Sequence, residues 1–272
     1  VDLAMDWLQS GLVLNMKLFG HADPDIGSLL AKLQAKGLEI SAADFGGSGF
    51  DLDLSGAPGL SRGSSKCWHD LAQAVKSDKV MSGLILNQCG LGGDVASVAT
   101  VIKQSSSLKK LSLAKNRLDD SSMKLLAAAL GFTQIESLVL KENEVTSVGF
   151  CLLLEWVASS PAVKDVDISS NRIDEQSLSG LEGAIRSRDR PLRLLDLDDN
   201  PISSARAEAF VEATRDLRML QRLWIRGRCF AQPGLPHQAA NPGEAFLIGI
   251  TTQGVEVGSA SPNLWGRHAL AS

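Results

Sequence analysis

The sequence predicts an α/β solenoid, in which short parallel strands stack side by side and helices return the chain between them. Three observations lead to this prediction. A leucine-rich pattern recurs along the chain, its period is nearly constant, and apolar residues with helical spacing follow each copy of the pattern. Such a repeat buries its apolar face only against its neighbours, so the copies must stack into one continuous core.

The recurring pattern is L-x-x-L-x-L-x-x-N-x-L, and the stretch LKKLSLAKNRL, from Leu108 to Leu118, is its clearest copy. Five copies fit well, a degenerate copy (FDLDLSG) precedes them, and a sixth is partial because Arg228 occupies its asparagine position. The steps between copies are 32, 27, 27, 28, 29 and 28 residues, counted at Leu52, Leu84, Leu111, Leu138, Val166, Leu195 and Leu223.

The spacing within one copy predicts a strand followed by a turn. In L-x-L the two apolar side chains point to the same face, as alternate residues of a strand do. The asparagine amide can then bond backbone groups that would otherwise be buried without partners. We therefore predict a ladder of side chains between successive turns, formed by Cys89, Asn116, Asn143, Asn171 and Asn200.

A helical segment follows each strand. In SSMKLLAAAL, which begins at Ser121, Met123, Leu126, Ala127 and Leu130 lie on one face of a helix. Segments with the same spacing begin at His69, Asp94, Gly149, Ser177 and Ala205.

These copies resemble the leucine-rich repeat family, and their period with a helix in each copy is similar to its ribonuclease-inhibitor-like subtype. The resemblance implies a curved horseshoe of about six or seven repeats, with parallel strands on the concave side and helices on the convex side. It covers residues 51–228. Residues 1–50 are then an N-terminal cap, and residues 229–272 are a non-repeat C-terminal cap or docking tail, since the ends of an open stack need covers.

The two end segments carry their own patterns. Asp25–Gly37 predicts an amphipathic helix that ends at glycine, and AFLIGITTQGVEV in the tail predicts a pair of short strands. The apolar start, VDLAMDWLQSGLVLNMKLF, is either a strand or helix of the cap or a segment that inserts into a neighbouring subunit. It has no initiator methionine and no basic region, so we do not interpret it as a signal peptide.

Composition and motifs disfavour several functions. A net charge of −4 argues against nucleic-acid binding, and no run of 18 apolar residues predicts a transmembrane helix. Four scattered cysteines without a C-x-x-C pair predict free thiols in a reducing, intracellular compartment, with no metal site. Neither Cys67-Trp68-His69 nor the glycine-rich CGLGGD after Cys89 makes a persuasive catalytic or phosphate-binding motif, so we expect no enzyme and no cofactor.

In the architecture that the resemblance implies, the variable positions of the strands face solvent on the concave side. Their chemistry changes from neutral to acidic and then to basic and aromatic along the stack. We predict a partner-binding face formed by Asp165, Asp167, Asp196, Asp198, Asp199, Arg222, Trp224 and Arg226. The structural alternative is that the aspartates belong to the repeat pattern and that Trp224 packs under the C-terminal tail.

The function predicted from the sequence is a non-enzymatic scaffold that binds protein partners through its concave strand face. Two alternatives stay open at this stage. One is a permanent subunit of a large multiprotein assembly that uses its ends and tails. The other is a regulator of a GTPase or a nuclease.

Overall fold

The structure is a computed structural model of the 272-residue chain. It describes residues 14–15, 50–56, 60, 65–77, 81–214, 219–231, 249–251 and 254–256. The predicted helix at Asp25–Gly37 lies outside these residues.

One nine-stranded sheet runs through the repeats in the order of the sequence. The first eight strands are parallel, and the ninth is antiparallel to the eighth. Their bounds are β1 Leu14–Asn15, β2 Phe50–Asp53, β3 Met81–Ile85, β4 Lys110–Ser112, β5 Ser137–Val139, β6 Asp165–Asp167, β7 Leu194–Asp196, β8 Arg222–Ile225 and β9 Arg228–Ala231. The predicted repeat strands and the solenoid fold are confirmed.

In the part of the chain that the structure describes, six α-helices return the chain between the strands. They are α1 Ser65–Ser77, α2 Val95–Gln104, α3 Asp120–Leu130, α4 Ser147–Ser159, α5 Leu178–Arg186 and α6 Ser204–Thr214. Each of the six predicted helical segments is confirmed, with small shifts at the ends. Side-chain caps set some of these ends: the Asp119 carboxylate accepts the Ser122 N–H at 2.8 Å, and the Thr146 hydroxyl accepts the Val148 N–H at 3.2 Å.

The register of the sheet places equivalent apolar residues side by side. Leu84 pairs with Leu111, Leu111 with Leu138, and Leu138 with Val166. Their side chains are buried in one continuous core between the sheet and the helices. Because each copy keeps this register, the residues on either side of every such position are directed to the opposite face of the sheet.

The buried asparagines join successive turns. The Asn116 side-chain oxygen accepts the N–H of Cys89 at 2.8 Å and of Leu91 at 3.4 Å. Its amide nitrogen donates to the carbonyls of Leu86 at 2.7 Å and Ala114 at 3.1 Å. One side chain thus satisfies four backbone groups in two repeats, and none of these groups could reach water.

The same arrangement recurs along the stack. Oδ1 of Asn143, Asn171 and Asn200 accepts N–H groups of the preceding repeat, at Asn116 and Leu118, at Val145, and at Ile173 respectively. At the first position, the Cys89 thiol contacts the carbonyls of Leu54 and Asn87 at 3.3 and 3.4 Å, so a thiol extends the ladder by one turn.

A left-handed residue precedes each member of this ladder. Gln88, Lys115, Glu142, Ser170 and Asp199 have φ between 53° and 59°. This region is unfavourable for residues with a Cβ, and it is tolerated here because the buried ladder holds the backbone on both sides.

The parallel stack ends at a tight hairpin. Arg226 and Gly227 have φ of 55° and 69°, as the two central residues of a type I′ turn require, and they join β8 to β9. Farther along, β10 (Gly249–Thr251) and β11 (Gly254–Glu256) form an antiparallel pair, which confirms the predicted strands of the tail. At the other end, β1 pairs in parallel with β2. No helix in the described ranges is long and apolar enough to cross a membrane.

Asn143→Leu should lower the free energy of unfolding by about 2–4 kcal/mol, because it leaves several buried backbone groups without partners. Urea unfolding followed by circular dichroism measures this change. Gln134→Leu replaces an exposed amide and is the matched control, with an expected effect within about 0.5 kcal/mol. Equal effects of the two substitutions would contradict a stabilising role for the ladder.

Candidate functional site: the concave strand face

One side chain of each strand occupies the position between the two core leucines and points away from the core. The register aligns these positions into one row across β3 to β8. The row consists of Ile85, Ser112, Val139, Asp167, Asp196 and Trp224. The predicted column of changing chemistry is therefore present, and we call the sheet surface that it occupies the concave face.

The prediction that the acidic residues of this face are open to solvent is wrong for three of them. Asp165, Asp167 and Asp196 are only 3%, 0% and 1% exposed. The remaining predicted site residues lie nearer the surface. Asp198, Arg222 and Trp224 are half-buried, and Asp199 and Arg226 are exposed.

Asp165 is committed to an ion pair within the fold. Its Oδ1 accepts a hydrogen bond from the Nε–H of Arg193 at 2.7 Å, and its Oδ2 contacts the same guanidinium. This pair raises the pKa of Arg193. The sequence prediction missed Arg193, because its position one residue before β7 becomes meaningful only when the register places it beside Asp165.

Asp167 and Asp196 lie directly opposite each other on β6 and β7. Oδ1 of Asp167 accepts the Ser169 N–H at 3.0 Å and the Ser169 hydroxyl at 2.7 Å. Oδ1 of Asp196 accepts the Asp198 N–H at 2.9 Å. Oδ2 of each carboxyl group is buried and has no hydrogen-bond partner. The two side chains thus form a buried carboxyl pair with one unsatisfied oxygen on each member.

Burial raises the pKa of both members of this pair. For Asp196 the pKa rises to about 8, first through burial and then through the neighbouring charge of Asp167. The pair therefore retains a proton at neutral pH in the folded protein, as two adjacent carboxyl groups in a poorly solvated site do.

A second apolar cluster, separate from the core, lies on the same face. Ile85, Ala114, Val139 and Leu194 are buried in it, and Trp224 packs against it. The sequence prediction did not include Leu194, because the sequence alone shows it only as one of three apolar residues in the four-residue segment Leu192–Leu195.

The rim of the face, beyond the ends of β7 and β8, remains polar. The Asp198 carboxylate accepts the Gly227 N–H at 2.7 Å, and burial raises its pKa. The Arg226 guanidinium donates to the Ile202 carbonyl at 2.8 Å. Asp199 and Arg226 are the predicted site residues whose side chains are exposed to a partner.

The structure describes parts of the two motifs that the sequence did not favour as catalytic or phosphate-binding sites. His69 is exposed on α1. In the glycine-rich segment after Cys89, the N–H groups of Cys89 and Leu91 are already donated to Asn116, so they are not available to a phosphate. Among the residues that the structure describes, no three His, Cys, Asp or Glu side chains converge in a way that could hold a metal ion.

Comparisons with known proteins agree with this architecture. A family model described as "Leucine Rich repeat" matches residues 104–127, which include the stretch LKKLSLAKNRL. The ribonuclease inhibitors of Mus musculus and Sus scrofa are 28% and 26% identical over 137 residues. The fold is that of a leucine-rich-repeat solenoid, and the sequence is similar to the ribonuclease inhibitors. Each alignment covers 50% of this chain and 30% of the relative, so the chain spans about a third of the length of these relatives.

The stability of this protein should fall by on the order of 5 kcal/mol through Asp196 alone as pH rises from about 4 to about 8. The sign follows from the raised pKa: in this window the folded state keeps a proton that the unfolded state has lost. Asp196→Asn should flatten this dependence, whereas Asp199→Asn should not. Urea unfolding at several pH values measures it, and an unchanged profile in Asp196→Asn would contradict the assignment.

Arg193→Met should lower the free energy of unfolding by about 1–3 kcal/mol, because it leaves Asp165 buried without its cation. The partial exposure of the guanidinium keeps the estimate at the low end for a buried pair. Thermal unfolding checks the change, and Arg172→Met, which removes an exposed ion pair with Glu144, is the control. Equal losses in the two variants would show that burial of Asp165 is not the cause.

Proposed function

We propose that the chain is a non-enzymatic scaffold that binds a protein partner through the concave face of its repeats, residues 51–228. The observation that carries this proposal is the composition of the face: an apolar cluster, a buried carboxyl pair and an exposed rim lie on one continuous sheet surface. In this proposal residues 1–50 and 229–272 cover the ends of the stack.

The mechanism of the scaffold is the display of side chains from a preorganised frame. Neighbouring strands are held in register by backbone hydrogen bonds, and the asparagine ladder links the following turns. Little backbone freedom is lost when a partner binds such a frame, so more of the interaction free energy appears as affinity.

The partner meets the rim first, at Asp199 and Arg226, and then the half-buried Trp224. Tryptophan and arginine contribute strongly to many protein interfaces, because they combine a large contact area with a polar group. Opposite charges at Asp199 and Arg226 favour a partner with complementary charges in the matching order.

A second candidate is regulation of a nuclease. The observation that favours it is the similarity of the chain to the ribonuclease inhibitors, whose name describes what those relatives do. For this chain the test is the activity of a ribonuclease with and without the purified protein. Loss of activity at one molar equivalent would support this candidate, and unchanged activity at tenfold excess would contradict it.

A photo-crosslinking amino acid at position 199 or 226 should capture a partner in a native lysate, whereas the same group at Glu155 should not. Glu155 is exposed on α4, and it is the matched control for an acidic surface residue. Mass spectrometry of the crosslinked peptides identifies both partners and positions. Capture only from position 155 would move the binding surface to the helices.

The native size of the protein separates a reversible scaffold from a permanent subunit. A reversible binder should elute near 28.9 kDa after dilution in high salt. A permanent subunit of an assembly, the structural alternative, should remain in one large particle with constant stoichiometry. Size-exclusion chromatography with light scattering measures this difference.

A further inference from the structure

We propose that Asp167 and Asp196 together form a receptor for one guanidinium group, supplied by an arginine side chain of the protein partner. This inference rests on the proposed scaffold function and names the chemistry that the concave face recognises.

Two neighbouring carboxylate oxygens, Oδ2 of Asp167 and Oδ2 of Asp196, have no hydrogen-bond partner. Among the described residues, five buried side-chain polar atoms have no hydrogen-bond partner, and three of them belong to Asp167, Asp196 and Trp224. These residues are consecutive in the row across β6, β7 and β8. Adjacent strands are about 4.8 Å apart, so the planar fork of a guanidinium can reach both carboxyl groups at once.

The charged side chains near the pair do not donate a hydrogen bond to either Oδ2 atom. Lys141, from the preceding repeat, favours the ionised form of the pair, and Asp198, two residues after Asp196, opposes it. Arg193 is held by Asp165. Both Oδ2 atoms therefore lack a donor even with these groups present, and an unsatisfied buried acceptor is costly.

The apolar surroundings suit the rest of an arginine side chain. Leu194 belongs to the same strand as Asp196, and Trp224 lies opposite Asp196 on β8. An arginine carries three methylene groups below its charged head, and its planar guanidinium stacks well on an indole ring. A metal ion would instead require more oxygen ligands than two carboxyl groups supply.

An arginine side chain suits the carboxyl pair better than a lysine side chain, because it keeps its positive charge when it is buried. A guanidinium stays charged when it is buried, whereas a buried ammonium group tends to lose its proton. In the free protein a proton on the carboxyl pair removes part of its negative charge, since the pKa of Asp196 is raised to about 8. A guanidinium replaces that proton, so binding should release it to solvent and should strengthen as pH rises.

Entry to the pair requires a side chain to move, because Asp167 and Asp196 are almost fully buried. Trp224 is half-buried and borders Asp196, so in this proposal the indole ring turns aside and then covers the guanidinium. The indole N–H of Trp224 is accordingly the reporter for binding.

The test uses n-butylguanidinium as the probe, with the neutral isostere n-butylurea as its control. The full chain is labelled with nitrogen-15, and the Trp224 indole N–H is followed by NMR at pH 6.5 and 8.5. We expect a saturable shift with a dissociation constant on the order of 1–10 mM at pH 8.5, weaker by about threefold or more at pH 6.5, and no saturable shift with n-butylurea.

Isosteric variants assign the site. Asp167→Asn with Asp196→Asn should weaken probe binding at pH 8.5 by about tenfold or more, while Glu155→Gln, on the exposed face of α4, should change it by less than about twofold. Both asparagines keep the Oδ1 acceptors that bond the Ser169 and Asp198 N–H groups, so the double variant should fold, and its thermal unfolding is measured alongside.

Three results would overturn the receptor: no saturable shift up to about 50 mM probe, an equal response to n-butylurea, or unchanged binding in the folded double variant. If the double variant does not fold, Asp196→Asn alone takes its place with the same criteria. If one of these results is found but photo-crosslinking at positions 199 and 226 still captures a partner, the receptor is contradicted and the scaffold function is not. Loss of capture there would contradict the scaffold itself.

Discussion

The fold depends on one constraint: every turn that leaves a strand buries backbone groups that water cannot reach. The ladder of Asn116, Asn143, Asn171 and Asn200 meets this constraint by joining each turn to the one before it. Because each amide bonds two repeats at once, a repeat gains most of its stability from its neighbours, and the stack behaves as a one-dimensional chain of coupled units. The left-handed residue before each asparagine is the conformational consequence of this bonding.

The same constraint explains why the fold was readable from the sequence. Leucine spacing and the asparagine position recur at each turn, so strands, helices and ladder all follow from one pattern. Elements outside the pattern were not readable. Arg188 is buried and donates to the carbonyls of Val157 and Val163, which satisfies the end of α4 from the following repeat. A single arginine in a variable segment gives no sequence signal for this role.

The residue types of the concave face were predicted from the sequence, but the burial and pairing of its side chains were not. Residue types and their row follow from the strand period, whereas burial depends on curvature and on which side chains approach each other in three dimensions. Asp165 and Asp167 look alike in DVDIS, yet one is neutralised by Arg193 and the other faces a second carboxyl group. Pairing of this kind depends on residues about 28 positions away, such as Arg193 for Asp165.

A pair of unsatisfied buried carboxyl groups lowers stability, so its presence on a sheet surface that faces away from the main core calls for a physical reason. A structural role would favour asparagine or serine at one of the two positions, as Ser112 stands at the equivalent place on β4 and bonds Asn87 at 2.7 Å. Binding sites typically contain polar groups that are satisfied only when a ligand is bound. Such groups make the free protein less stable than it could be. The proposed guanidinium receptor supplies such a reason for the carboxyl pair, because a bound cation would satisfy the oxygens that the fold leaves without partners.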